Sequence, residues 1–495
     1  MSGTLGGVSL AQRFWLILSA VLLATVLMLA VFGDRLIGGS PTWEPAQPVR
    51  AASGVGDPYL PEAGGAGYDV EHYDVRISAL ALDNELSGTT TVTAIARQDL
   101  DEFHLDLALN ARAVTVNGVT ADFVQGGEGD LAITAARQQP ASPAIASGAR
   151  FTVTVTYDGN PDRGFGRSDR SYYRAGGETV IAGEPLSSPL WYPSNDHPRD
   201  AATMDFAITV PRDREAISAG RLIEHGPDPD RPDADRWLWR VDAPTVTYAT
   251  FLAIGDYRVE QGTADGRPFT YAVSTRLGAA DQTRALRWLR TTPESVRKLE
   301  KYLGPYPFSG VGGFVPGMKM AWGGLETAMN PIYDPRLSGD ETLLNHELAH
   351  MWLGDTVTLT EWNDIYNNEA LASYAEWLTT SGSDPAKLFD QNYRGRADSS
   401  DFWGPKLSDP GVDGMFVRVY DRGPTSVHAL RTRMGDKAFF AFLRAWAQRP
   451  GARSLEDFRQ EADDATPVDL TGFFTEWLDQ TDRPEPTKAN GVPQR

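Results

Sequence analysis

The chain has 495 residues, 66 of them acidic and 46 basic, for a formal charge of −20. That length exceeds what one hydrophobic core supports, so at least two domains are expected, and the acidic balance argues against nucleic-acid partners, whose phosphates it would repel. There is no cysteine, which excludes disulfides, thiolate catalysis, cysteine-held zinc and a lipidated N-terminal cysteine.

In chain order, residues 1–13 read as a short cytoplasmic tail. Residues 14–32 form a run of 19 without a charge, FWLILSAVLLATVLMLAVF, long enough to cross a bilayer as a helix. No small-residue cleavage site of the A-x-A kind follows closely. The run therefore reads as a transmembrane anchor, with a cleaved signal peptide as the rival. The expected location is the cell membrane, single-pass, with the bulk of the chain outside the cytoplasm, or secretion if the segment is removed. Residues 33–66 are rich in Gly, Pro and Ala and read as a flexible linker.

From 67 to 258 the texture is β. Runs such as LSGTTTVTAIA, RFTVTVTYDG and DFAITVP alternate apolar and polar residues, and Asn-Gly or Asp-Gly turns intervene. An antiparallel β-rich N-terminal domain is expected. From 259 to 485 the apolar residues recur at three-to-four spacing, as in DQTRALRWLRTTPESVRKLEKYLG, which predicts a mostly helical domain. Residues 486–495 read as a disordered tail. The fold class is α+β, multidomain.

The chemistry concentrates at 346–350, His-Glu-Leu-Ala-His, an H-E-x-x-H match. On a helix, positions i and i+4 share a face, so His346 and His350 can address one ion. Asp340 or Ser338 can cap the helix start and Gly354 fits its end. A catalytic zinc site takes three protein ligands. Glu369 follows His350 after 18 intervening residues, within a second helical stretch. Two neutral imidazoles and one carboxylate suit Zn2+, one per chain. Glu347 is placed to take a proton from a water activated there. The rival reading is two surface histidines on an ordinary amphipathic helix.

Several blocks together resemble the aminopeptidase N family of zinc metallopeptidases, in a short form. HELAHMWLGDTVTLTEWNDIYNNEALASYAEWL is similar to the zinc signature. VYDRGPTSVHALRTRMGDKAFFAFLRAW is similar to the Tyr-x-Lys-Gly segment, and MAWGGLETAMNPIY to the Gly-x-Met-Glu-Asn loop. The resemblance implies a thermolysin-like (gluzincin) catalytic domain after the β domain, and release of residues from peptide N-termini. It implies His346, His350 and Glu369 as metal ligands, Glu347 as base, and Tyr420 as the oxyanion donor. It also implies Glu326 and Glu184 as holders of the free α-amine, and Gly323 and Gly324 as backbone contacts to an extended peptide. The family's large C-terminal helical domain has no counterpart before Arg495, which leads to the expectation of an open cleft.

Leu325 and Thr327 stand where the family has Met and Asn, Arg422 where it often has Lys, and Ala370-Leu371 where it has Gly-Phe. The expected activity is that of a zinc aminopeptidase acting on peptides. Two alternatives stay open: an endopeptidase with an altered amine pocket, and a tethered binding protein without activity. His197 reads as a turn residue, and His428 as packing or surface. Oligomeric state is not readable.

Overall fold

The computed structural model describes residues 48–80, 85–163 and 171–492. The expected tail at 1–13, the anchor at 14–32 and the first part of the linker lie outside the described residues. Among the described residues, no helix is long and apolar enough to cross a membrane.

The N-terminal part is built on an eight-stranded sheet. From edge to edge its strands are Arg221–Pro227, Ala234–Thr245, Ala202–Pro211, Tyr68–Ser78, Leu86–Ala96, Arg150–Gly159, Asn110–Val116 and Val119–Thr120. Burial alternates along Leu86–Ala96 and Arg150–Gly159, as it must when one face of a pleated sheet packs inward. A three-stranded sheet of Glu102–Asp106, Asp130–Thr134 and Asp122–Gln125 meets that inner face. There Phe103 packs edge-on against Phe151 and Tyr68, with ring centroids 5.4 and 5.8 Å away. A four-stranded sheet, Glu215–Ser218, Leu252–Gly255, Glu178–Ile181 and Tyr172–Ala175, joins through Trp239, whose indole N–H donates to Ala216 O at 3.1 Å.

The large sheet is not wholly antiparallel. Tyr68–Ser78 runs parallel to Ala202–Pro211. Parallel neighbours need a long crossover, and here more than a hundred residues of intervening β structure supply it.

The C-terminal part has a five-stranded sheet in the order Tyr257–Ala264, Arg267–Ser274, Val311–Val315, Ile332–Tyr333, Gly324–Leu325. The expected boundary at 258 falls inside the first of these strands. Because that strand pairs with Arg267–Ser274, it belongs to the second domain, and the junction lies near Asp256. Helices follow at Ala279–Leu289, Thr292–Leu303, Glu341–Ala349, Tyr366–Thr379, Pro385–Tyr393, Arg422–Met434, Asp436–Ala447 and Leu455–Asp464. Nearly all of Tyr366–Thr379 is buried, so it is the central helix around which the others pack.

Both supposedly loose segments are corrected where they are described. Residues 48–66 are not a free linker: Ala51, Asp57, Leu60 and Ala63 are buried. Residues 486–492 are not a free tail: Asn490 and Val492 are buried, and Asn490 O accepts from the Trp477 indole at 3.0 Å. A Gly/Pro-rich composition shows that a segment cannot build a core of its own. It does not show whether the segment docks on another.

Candidate active site

The helix Glu341–Ala349 begins where Asp340 accepts hydrogen bonds from Thr342 N and Leu343 N. Leu344 and Leu348 are fully buried and anchor it to the core. It ends at Ala349, ahead of the expected stop: Gly354, with φ of +136°, lies in the turn that follows. His350 sits at the C-cap and still donates its backbone N–H to His346 O at 3.4 Å. The two imidazoles therefore keep the i, i+4 alignment. The turn Trp362–Asp364, closed by a reciprocal cap between Glu361 and Asp364, reverses the chain into Tyr366–Thr379. Glu369 lies in the first turn of that helix, facing both histidines.

The three donor atoms form a near-equilateral triangle. His346 Nε2 and His350 Nε2 are 3.1 Å apart, and each is 3.3 Å from Glu369 Oε2. Zinc bonds of about 2.0–2.1 Å in a tetrahedron require ligand separations of roughly 3.4 Å. The far nitrogens fix the tautomers: His350 Nδ1 faces Leu353 O at 2.8 Å, and His346 Nδ1 faces Glu376 Oε2 at 3.1 Å. Only an N–H satisfies those acceptors, so in the neutral rings, the form that binds a metal, both Nε2 atoms carry lone pairs toward Glu369. Three electron-pair donors this close repel one another unless a cation lies between them. The residues present fit Zn2+.

The same three side chains line a cavity of about 670 Å³ together with Glu347, Glu326 and Tyr420. Glu347 is 4% exposed, and burial pushes its carboxyl up to about 8, with His346 pulling it down and Glu326 pushing it up. It lies directly over the edge strand Gly324–Leu325: a Cβ on Gly324 would come 2.1 Å from Glu347 Oε1. Among the described residues that strand pairs only with Ile332–Tyr333, and its open side borders the cavity beside Gly323.

Glu326 follows the edge strand and is 3% exposed; its Oε1 has no hydrogen-bond partner among the described residues. Glu184 comes from the β domain, and its Oε1 is likewise buried and unpartnered. Oxygens of Glu184, Glu326 and Glu369 lie within 4.8 Å of one another. Burial raises the Glu326 carboxyl and pushes Glu184 well above the ordinary carboxylate range, where the neighbouring Glu326 adds to the shift. Among the described lining residues there is no lysine or arginine. Converging acids without a counter-ion make a pocket for a cation. Tyr420, 40% exposed, stands at the cavity wall with its ring 5.9 Å from that of His346.

The structure thus brings every sequence-predicted site residue to one cavity. It also shows what sequence reading passed over. Glu376, which orients His346, lies seven residues after Glu369 on the same helical face, a spacing that could have revealed it. Arg422 is not a cleft cation. It is fully buried and donates to the carbonyls of Trp403, Pro405, Trp477 and Gln480. His197 is more than a turn residue: it is buried and bonded to Asp57 at 3.0 Å. His428 packs as expected, against Phe389 and the Tyr374 hydroxyl.

Two family descriptions match: the Peptidase M1 N-terminal domain over residues 69–248 and the Peptidase family M1 domain over 336–477. An aminopeptidase N of Acetobacter pasteurianus is 29% identical over 325 residues, covering 61% of this chain and 88% of the relative. The endoplasmic reticulum aminopeptidase 1 of Rattus norvegicus is 27% identical over 334 residues, 60% of this chain but 35% of the relative. The chain thus spans nearly all of one relative and about a third of the other. Among solved structures, an M1 zinc metallopeptidase from Deinococcus radiodurans superposes with a TM-score of 0.76 at 26% identity, over 89% of this chain and 100% of that one. A mutant of a two-domain M1 zinc metallopeptidase bound to L-arginine gives 0.72 at 26% identity, over 83% and 94%. With both family domains in order, the β domain ahead of a helical catalytic domain, and a zinc-fitting His-His-Glu triangle, the chain belongs to peptidase family M1, the aminopeptidase N family of zinc metallopeptidases.

Proposed function

We propose that this zinc metallopeptidase removes single residues from the amino termini of peptides. The observation that carries the reading is the carboxylate pocket of Glu184, Glu326 and Glu369 set against the metal triangle. A free α-ammonium satisfies the unpartnered oxygens of Glu184 and Glu326 there. An internal peptide nitrogen carries no charge to offer.

His346, His350 and Glu369 hold one zinc ion, which when bound polarises the scissile carbonyl and acidifies the attacking water. Glu347 accepts that water's proton at its carboxylate and passes it to the leaving amine nitrogen. The Tyr420 hydroxyl donates to the oxygen on which negative charge grows. The backbone of Gly323 and Gly324, on the open side of the edge strand, aligns the extended substrate.

The test is hydrolysis of aminoacyl-naphthylamides and of matched N-acetylated peptides, before and after chelation. The free-amine substrates are expected to be cut and the acetylated ones left intact, with activity abolished by the chelator. Cleavage of acetylated peptides at a comparable rate would establish the endopeptidase alternative. Absence of stoichiometric zinc after metal-replete purification would instead favour a binding protein.

The uncharged run at 14–32 supports placing this activity outside the cytoplasm, tethered to a membrane or secreted. Fractionation of cells with protease added from outside checks it: the catalytic part is expected with the membranes and open to digestion.

A further inference from the structure

Residues 48–66 cross from one domain to the other as an irregular strap. Asp57 is its fixed point. Its carboxylate accepts from Tyr59 N at 2.7 Å and Leu60 N at 2.9 Å. It also accepts from His197 of the β domain at 3.0 Å, and from Trp362 N of the catalytic domain at 2.8 Å. The turn so formed places Leu60 and Ala63 in an apolar cluster with Leu186, Trp362 and Met415, against which Phe416 packs. Beside them the Tyr59 hydroxyl donates to Asp409 Oδ1 at 2.5 Å and accepts from Gly411 N at 2.8 Å. Burial and the neighbouring Asp409 carboxylate keep the Tyr59 proton in place.

Asp409, Gly411, Met415, Phe416 and Tyr420 all belong to the stretch 404–421. It connects Ser400–Trp403 to Arg422–Met434 without helix or strand. Both Phe416 and Tyr420 reach the cavity wall from it. A connection this long holds one shape only through what it touches. Its C-terminal end is secured by the buried Arg422 and by Arg418, which pairs with Asp401 and Asp421. Its middle is secured by the strap.

We infer that Tyr59 is a positioning residue for catalysis: its hydroxyl pins the 404–421 connection so that the Tyr420 phenol meets the reacting carbonyl. The inference rests on the role proposed above for Tyr420. It makes the segment ahead of the β domain a working part of the cleft and not only a tether.

The experiment uses the full zinc-loaded chain and aminoacyl-naphthylamide kinetics. Tyr59→Phe removes only the hydroxyl. It is expected to lower kcat by about five- to tenfold, with KM within about twofold, and zinc content and Tm unchanged. In a Tyr420→Phe background it is expected to cost nothing further, because the group it positions is gone. Asp409→Ala is expected to reproduce the loss, while Asp409→Asn, which still accepts from the phenol, stays within about twofold of the parent. Additive losses in the double variant, or a rise in KM with kcat intact, would overturn the inference. If Tyr420→Phe alone leaves kcat unchanged, the role of Tyr420 fails and the inference with it. If Tyr420→Phe is slow and Tyr59→Phe is not, the inference alone fails.

Discussion

Glu376 Oε2 lies 3.1 Å from His346 Nδ1, two helical turns beyond Glu369 on the same helix. One helix thus supplies both a ligand and the group that aims another ligand. A carboxylate behind a metal-bound imidazole fixes its tautomer and raises its basicity, and losing such a partner typically costs about 10- to 100-fold in metal affinity. Glu376→Ala is expected to weaken zinc binding by about that factor, read by competition with a chromogenic chelator. Glu376→Gln keeps an acceptor oxygen and should fall between. Glu347→Ala, by contrast, should keep zinc and lose turnover.

Glu326 is the better-buried of the two proposed amine holders. A hydrogen bond to a charged group contributes about 1.5–3 kcal/mol, so Glu326→Gln is expected to lower kcat/KM for free-amine substrates by roughly 10- to 150-fold. The decisive quantity is the ratio of free-amine to N-acetylated turnover. It should collapse toward unity in the variant, and a ratio equal to the parent's would remove Glu326 from the amine pocket.

Gly324 is confined by chemistry and not by its backbone angle. A methyl group there would sit 2.1 Å from Glu347 Oε1, far inside contact distance, and would push the base off its water. Gly324→Ala is therefore expected to lower kcat by about 100-fold or more, with zinc retained and Tm within a few degrees. Gly226, with nothing near its Cβ and no left-handed φ, is the control position for stability.

The strap carries a pH dependence. Burial raises Asp57, but the His197 side chain and the Trp362, Leu60 and Tyr59 amides outweigh it and lower the group from 3.8 to about 2. A carboxyl whose folded value lies below its unfolded one contributes stability above the unfolded value. That contribution is lost as pH falls through the folded one. Asp57 should thus contribute about 2 kcal/mol above pH 4, lost between about pH 4 and pH 2. His197 is pushed down by burial, so it too is lost as pH falls, beginning below its ordinary 6.5. Denaturant midpoints measured across pH 7 to 2 should show this slope, and Asp57→Asn should flatten its acid limb.

Local patterns were legible in the chain, and distant ones were not. The i, i+4 pair of His346 and His350 and the cap at Asp340 are events within one helix, and the alternation in Leu86–Ala96 exposes a sheet face directly. The place of Glu369 follows once two short helices are joined by a tight turn. The parallel pairing of Tyr68–Ser78 with Ala202–Pro211 joins strands more than a hundred residues apart, and no window of sequence contains it. The burial of Arg422 was not legible: guanidinium is ordinarily a surface group, and the four carbonyls that converge on it come from residues distant in sequence. Asp57 belongs to a segment whose composition looks unstructured, because its order is borrowed from Trp362 and His197.

The carboxylate pocket beside the metal has a consequence for how a long peptide would be consumed. Each cut uncovers a fresh ammonium one position along, carrying the same charge that admitted its predecessor. The shortened product is therefore again a ligand, and digestion should proceed as a ladder of successively shorter chains. It should stall where the newly exposed terminus is blocked, or where its first side chain no longer fits the cavity.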